Sequence, residues 1–282
     1  MMRLPVVILL LLIGFSLFGQ NSTFKNKEFS FSVGVAEFDI EKIQPGENLD
    51  FINYFNTYPE YLDYIIAKFG YKFDFLTKMS ADIKIILMDD LIPDNYDIST
   101  HYFFKPWAGL GVGSLLNKNY ITYFEQYQIQ MLPDYYLMSG TGQFTTYDLG
   151  FYLSPALKPI DNDFFKLLIK CDLGISSLMK EKAAFFHKRK LSNERLYYNY
   201  KTETAFQPYI HPKLELRLRA FKIKNTSIGI LLNSGYFDSG RSINYVRTIQ
   251  RWTSENSTKK EIQMPKHNYS RFEFDMGIFV KL

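Results

Sequence analysis

The sequence predicts an all-β fold: an antiparallel transmembrane β-barrel of about ten strands, eight and twelve being the adjacent even counts, with long loops at one rim and short turns at the other. Three observations predict it. In residues 271–282, Phe272, Phe274, Met276, Ile278, Val280 and Leu282 alternate with Arg271, Glu273, Asp275, Gly277, Phe279 and Lys281. A period of two puts the first set on one face of a strand and the charges on the other. The apolar row holds through the whole run, enough to cross a bilayer core as a tilted strand of roughly 9–11 residues. Second, 46% of the chain is hydrophobic, yet no later segment offers the roughly 18 uncharged apolar residues of a transmembrane helix. The apolar residues are therefore spread over alternating strands. Third, the connections between strands alternate in length, as they do when short turns lie at one rim and long loops at the other.

Residues 1–20 are expected to lie outside the fold. Met1, Met2 and Arg3 form a positive start, residues 4–18 are apolar apart from Pro5, Gly14 and Ser16, and small or polar residues follow at Gly19, Gln20 and Asn21. This is the pattern of a secretory signal peptide cleaved near Gly19 or Gln20. No cysteine follows the apolar run, which argues against lipoprotein processing. Residues 21–282 are then expected to form a single barrel domain. Tyr (21) and Phe (26) lift the aromatic share to 17%, and barrels use such residues in belts at the two membrane interfaces. Cys171 stands alone, so the fold relies on no internal disulfide. A net charge of +4 does not suggest a nucleic-acid binder.

Taken in order, the first strand has Phe29, Phe31, Val33 and Val35 opposite Ser30, Ser32, Gly34 and Ala36. A connection over 39–65 contains Pro45, Gly46 and Pro59, with Leu49, Ile52 and Phe55 at helical spacing; the part from Tyr61 onward also fits a strand. Tyr71, Phe73 and Phe75 alternate with Lys72 and Asp74, and Ala81, Ile83, Ile85 and Leu87 with Asp82 and Lys84. Residues 89–100 are polar, carry Pro93 and read as a loop. Residues 101–115 read as one strand, with Lys105 inward, followed by a turn at 117–119 and a further strand around Ile121 to Ile129. Tyr147 to Leu153 and Phe165 to Ile175 alternate in the same way, as do Leu214 to Leu218 and Ile228 to Tyr236. The connections near residues 78, 118, 159 and 224 are short, and those near 52, 94, 137, 190 and 253 mostly long.

On these features the mature chain resembles the small outer-membrane β-barrel proteins of Gram-negative bacteria, and the Phe-Gly-Gln at 18–20 resembles leader ends of Bacteroidota. The resemblance is one of architecture. It implies an integral outer-membrane location, insertion by the barrel-assembly machinery and contact with outer-membrane lipid and lipopolysaccharide, and it implies no particular reaction.

Two groups of side chains are candidate sites. The polar faces send Asp148, Asp172, Lys213, Glu215, Arg217, Arg219, Arg271, Glu273 and Asp275 inward, together with Lys72, Asp74, Asp82, Lys84 and Lys170. In a narrow barrel that side chains fill, mixed charges are expected to pair. Arg217 and Arg219 then need carboxylates such as Asp275, Asp148 or Asp172. In an open lumen the same Lys213, Arg217 and Arg219 would favour anions. The second group is the basic stretch 178–204, read as a loop, where Lys182, Lys188, Arg189 and Lys190 are interleaved with Phe185, Phe186, Tyr197 and Tyr198; clustered cations there would attract polyanions.

The same residues hold only fragments of enzymatic machinery. Omptin proteases resemble this chain in strand count and activate water with acidic pairs and a histidine on opposing rim loops. Asp89 and Asp90 occupy a comparable rim position, but His187 has no neighbouring Asp, so the pattern is incomplete. Lipid A deacylases pair a His with a Ser two residues on, and His101, His187, His211 and His267 all lack that spacing. No metal-ligand cluster, phosphate-cradling glycine loop or nucleophile motif is present, and no cofactor is implied. The leading expectation is a non-enzymatic barrel with a filled polar lumen and a structural or surface-binding role through its outer loops. A narrow anion-preferring channel comes second and a rim-loop hydrolase third.

Overall fold

Alternation becomes strand wherever the structure describes the chain. A computed structural model describes residues 25–40, 61–88, 92–119, 134–141, 146–178, 182–202, 206–243, 245–253, 256–263 and 267–282. These form β1 (Lys25–Ile40), β2 (Tyr61–Leu76), β3 (Met79–Met88), β4 (Ile92–Lys105), β5 (Ala108–Asn119), β6 (Tyr135–Thr141), β7 (Thr146–Asp161), β8 (Phe165–Leu178), β9 (Lys182–Arg189), β10 (Arg195–Thr202), β11 (Phe206–Ile223), β12 (Thr226–Ile243), β13 (Tyr245–Trp252), β14 (Ser257–Gln263) and β15 (His267–Lys281). Ten of them close into an antiparallel barrel in the order β1-β15-β12-β11-β8-β7-β5-β4-β3-β2, with β2 pairing back onto β1.

The barrel is inside out relative to a water-soluble sandwich. Along β15, Arg271, Glu273 and Asp275 are buried, while Phe272, Phe274, Met276 and Ile278 are 45–59% exposed. Along β11, Gln207, Tyr209, His211, Glu215 and Arg217 are buried, and Ile210, Leu214 and Leu218 are exposed. The predicted facing therefore holds on both strands. The outer surface is an apolar wall and the core is polar.

Three expectations about the middle of the chain are corrected. Residues 101–115 are not one strand, because Pro106 and Trp107 make a tight turn between β4 and β5. Pro106 has no N–H for a ladder and its fixed φ suits a turn corner. The alternation concealed it, since a two-residue turn keeps the period-two phase from Tyr102 and Phe104 into Ala108 and Leu110. Residues 92–100 are not loop but the start of β4. Their polar members Asn95 and Ser99 are buried, so their polarity marks a lumen face and not a solvent-exposed bend. Residues 117–119 accordingly end β5 instead of forming a turn. The strand expected around 121–129, the helical spacing within 41–60 and the leader at 1–20 lie outside the described residues. The barrel has ten strands among the described residues, with β4 and β5 where a single strand was expected over 101–115.

The short connections, 77–78, 106–107, 162–164 and 224–225, share one rim. At 162–164 the side chain of Asn162 accepts hydrogen bonds from the N–H groups of Phe164 (3.0 Å) and Phe165 (2.8 Å), an Asx turn that fixes the corner. The opposite rim does more than carry loops. β6, β9, β10, β13 and β14 form a second sheet in the order β14-β13-β10-β9-β6. Each is joined within a few residues to a barrel strand: β14 to β15, β13 to β12, β10 to β11, β9 to β8 and β6 to β7. The outer sheet thus repeats the order of one wall of the barrel. The stretches 178–204 and 238–268, expected as loops, are largely built from it.

Closure depends on two glycines. Gly34 of β1 stands opposite Asp275 of β15, and Gly277 of β15 opposite Ser32 of β1. A Cβ on Gly34 would collide with the Phe274 carbonyl and the Asp275 Cα, and one on Gly277 with the Phe31 carbonyl and the Ser32 Cα. Gly34→Ala and Gly277→Ala are each expected to spread this seam and lower stability by about 1–3 kcal/mol, the usual range for overpacking. Unfolding midpoints of the two variants at or above the parent value would contradict a seam held this close.

Candidate functional site

Ten strands leave an interior that side chains can fill, and here charged side chains fill it in three groups. Towards the long-loop rim, Lys213 Nζ lies 2.5 Å from Asp172 and 2.8 Å from Asp97. Asp97 also accepts a hydrogen bond from the Tyr152 hydroxyl, and Asp172 accepts one from Ser154 Oγ at 2.6 Å. On the neighbouring wall, Lys68 Nζ bridges Glu273 (2.5 Å) and Asp275 (2.8 Å). Arg271 holds the other oxygen of Glu273 at 2.5 Å, and Asn233 donates to Asp275 at 2.6 Å. Deeper, Arg217 pairs with Glu28 and, at 2.6 Å, with Glu215. Lys84 lies 3.7 Å from both Asp82 and Glu215, and Lys170 lies 3.6 Å from Asp82.

Most of the predicted inward set is brought together, but with different partners. Arg217 takes Glu28 and Glu215, not Asp275, Asp148 or Asp172, because Lys68 holds Asp275 and Lys213 holds Asp172. Arg219 sits one step nearer the short-turn rim, 3.7 Å from Asp163, with its guanidinium 4.7 Å from the Phe164 ring. Asp148 is buried at 3% exposure, and its Oδ1 has no hydrogen-bond partner among the described residues. Lys105 is exposed beside the turn, 5.9 Å from the Trp107 ring, and does not join the network. Sequence reasoning did not single out Glu28, Lys68 and Asp97, which lie on parts of β1, β2 and β4 beyond the expected strand ends. Extending the same alternation backward would have found them: Lys68 is in phase with Lys72, and Asp97 is in phase with the row opposite Tyr102.

One trio resembles a nucleophile relay. His101 Nε2 lies 3.3 Å from Ser154 Oγ, which is in turn bonded to Asp172. The order is wrong for serine activation, in which the hydroxyl gives its proton to His and the His is oriented by the carboxylate. Here the Ser154 proton goes to Asp172, and Lys213 occupies the other Asp172 oxygen. The trio fixes side chains in place.

Little free space remains. A cavity of about 100 Å³ lies near the short-turn rim among Lys72, Asp74, Lys158 and Arg217. Another of about 50 Å³ lies among Lys68, Lys84, His211 and Arg271. Between them, where Glu28, Lys68, Lys72, Lys84 and Arg217 converge, the space falls to about 10 Å³, room for at most a single water.

The second candidate group lies in the outer sheet. Lys182 sits in β9 opposite Lys201 of β10. Arg189 is engaged within the sheet: its Nη1 is 2.9 Å from Glu194, which Arg251 Nε also holds at 2.5 Å and Tyr135 reaches at 3.2 Å. Burial alone would raise the Glu194 carboxyl, but hydrogen bonds from Arg251 and Arg189 outweigh it and hold the group below the ordinary carboxylate range. The Tyr135 hydroxyl is pushed up to about 12 by burial and by the Glu194 charge. Lys190 Nζ lies 5.4 Å from the Tyr136 ring, and Lys188 remains on the sheet face. His187 is fully buried, edge-on to Tyr198 with ring centres 5.7 Å apart. Asp89 and Asp90, the acidic pair of the hydrolase reading, lie outside the described residues.

No family model and no curated protein matches the chain. Among solved structures it is similar to the attachment invasion locus protein Ail of Yersinia pestis, at 9% identity and a TM-score of 0.29 over 90% of this chain and 99% of that one. It is also similar to the outer membrane protease OmpT from Escherichia coli, at 10% identity and a TM-score of 0.33 over 93% and 98%. A major outer membrane protein from Thermus thermophilus gives 10% and 0.28 over 91% and 99%. Scores this low assign no activity to this chain.

Two outcomes follow from the site. Lys68→Met leaves Glu273 and Asp275 facing each other without their shared ammonium, and should lower stability by about 3–5 kcal/mol. Adding Glu273→Gln and Asp275→Asn should recover part of it. An unchanged urea midpoint for Lys68→Met would mean the lumen is wet enough to hydrate a lone carboxylate. The Glu194 clamp should show in acid. A carboxyl held below its unfolded value of about 4.3 stabilises the sheet fully above that pH and loses the contribution as the pH falls through its folded value. Amide exchange in β9 and β10 should therefore quicken below about pH 4, and Glu194→Gln should show the faster exchange already at neutral pH. Exchange independent of both would discount the clamp.

Proposed function

We propose that this protein is an integral outer-membrane barrel that closes its own lumen and carries the outer sheet at the cell surface as a binding platform. Residues 1–20 act as a removed leader, the barrel-assembly machinery inserts the chain, and the apolar wall sits in outer-membrane lipid with lipopolysaccharide around its outer rim. The observation that carries this reading is the lumen: Lys68, Lys213 and Arg217 each touch two carboxylates, and the free space narrows to about 10 Å³ between them. Cations so engaged are poor anion attractors, because their field is spent at contact distance and ions must shed water to pass. The apolar exterior supports the membrane location, since such a belt in water would be an aggregation surface.

An anion-preferring channel uses the same residues in hydrated form, so the two readings separate in one experiment. Folded protein reconstituted in planar bilayers should give background conductance, and Arg217→Ala should lower the unfolding midpoint while leaving conductance at background. Stable current steps from the parent protein, with anion selectivity that falls in Arg217→Ala at unchanged stability, would replace the platform by the channel.

A further inference from the structure

The register of the outer sheet sorts its side chains into two very different faces. Phe185, His187, Leu196 and Tyr198 are at or below 1% exposure and form the covered side. The other side is read from the cross-strand pairs. Tyr136, Lys188, Arg195 and Trp252 stand in one row across β6, β9, β10 and β13. Phe186, Tyr197, Gln250 and Lys259 form the next row across β9, β10, β13 and β14. Rows two residues apart share a face. Trp252 packs between them, its ring centre 6.2 Å from Phe186 and 6.4 Å from Tyr197. Tyr136 is 58% exposed, Arg195 is exposed, and Lys188, Phe186, Tyr197 and Trp252 are half-exposed.

Two features make this face more than a solvated surface. Lys188 and Arg195 are directly opposite each other in adjacent strands, an arrangement that destabilises a sheet unless an anion lies between them. Neither has a carboxylate partner among the described residues. Two acids of the sheet are engaged elsewhere: Glu194 by Arg189 and Arg251, and Glu261 by Lys259 at 3.1 Å. Second, the three rings are tilted by 54–58° about Trp252. Such rings give a ridge of apolar faces suited to the C–H faces of pyranose rings, and not the parallel slots that stacked bases occupy.

We propose that this face binds an anionic polysaccharide, its sugar rings lying on Trp252, Tyr197 and Phe186 and its sulfate, phosphate or carboxylate groups held by Lys188 and Arg195. The inference rests on the surface-platform reading and names the partner of that platform. Lysine and arginine give charge-assisted hydrogen bonds to such groups. The occupant is a freely diffusing chain, because a ridge crossed by four strands and two rows fits an extended polymer. The pairing uses permanent charges, so binding is insensitive to pH near neutrality and weakens with salt.

The test uses full-length protein folded in detergent micelles. The sequence has two tryptophans, Trp107 and Trp252, so a Trp107→Phe background makes fluorescence report on Trp252 alone. Titration with a heparin oligosaccharide should change that fluorescence saturably, and neutral dextran should not. Lys188→Gln with Arg195→Gln should weaken binding about tenfold, equivalent to about 1.4 kcal/mol, and Tyr197→Ala should weaken it without altering its salt dependence. Heat-modifiable gel migration of each variant verifies the fold. Loss of that migration in the parent protein would overturn the barrel reading and this inference with it. Normal migration without saturable binding overturns the inference alone. Equal affinity for inorganic polyphosphate or a single-stranded oligonucleotide, or binding to lipopolysaccharide micelles only, also overturns it.

Discussion

A ten-stranded barrel leaves an interior too narrow to hydrate many separate charges, so cations that the alternation turns inward are driven towards carboxylates there. Much of the remaining architecture answers to that requirement. Lys68, Lys213 and Arg217 are each shared between two acids. Where acids outnumber bases locally, neutral donors complete the set: Asn233 on Asp275, Tyr152 on Asp97 and Ser154 on Asp172. Glycines at the β1–β15 seam let the wall draw in far enough for these contacts to form.

The division of labour between wall and sheet follows from the same requirement. Inside the barrel, polar chemistry is consumed in holding the structure, and the groups most like catalytic machinery, His101, Ser154 and Asp172, are bonded in an order that spends the serine proton on the acid. The outer sheet is freed from that requirement because one of its faces meets solvent. There, cations can stand without acids, and aromatic rings can be half-exposed at modest cost. Side chains not consumed in holding the barrel are therefore found where the wall continues beyond it.

Much of this was legible in the sequence, and the reasons for the exceptions are physical. The facing of β11 and β15 could be read because apolar and charged residues alternate without a break. The β4–β5 hairpin could not, since its two-residue turn preserves the phase, and Pro106 was the only local sign. The lumen set was legible as a list, but its pairing was not. Partners such as Arg217 and Glu28 are decided by which walls face each other, and alternation carries no information about that. The basic stretch showed its composition but not its sheet. The alternation of Phe185 with Phe186 and of Tyr197 with Tyr198 places aromatic residues on both faces, so no apolar row stands out.

The lumen pairs also constrain the route by which the molecule forms. Lys68 and Glu273 are 205 residues apart in sequence, Arg217 and Glu28 are 189 apart, and Lys213 and Asp97 are 116 apart. A growing barrel that lacks its final strands holds Lys68 without Glu273 and Asp275, and β11 cannot settle Arg217 until β1 is in place. An incomplete intermediate is thus a string of charges whose burial is uncompensated. Long sequence separations slow folding, and here they couple the end of the chain to its start, because β15 carries the carboxylates that pair with Lys68 of β2.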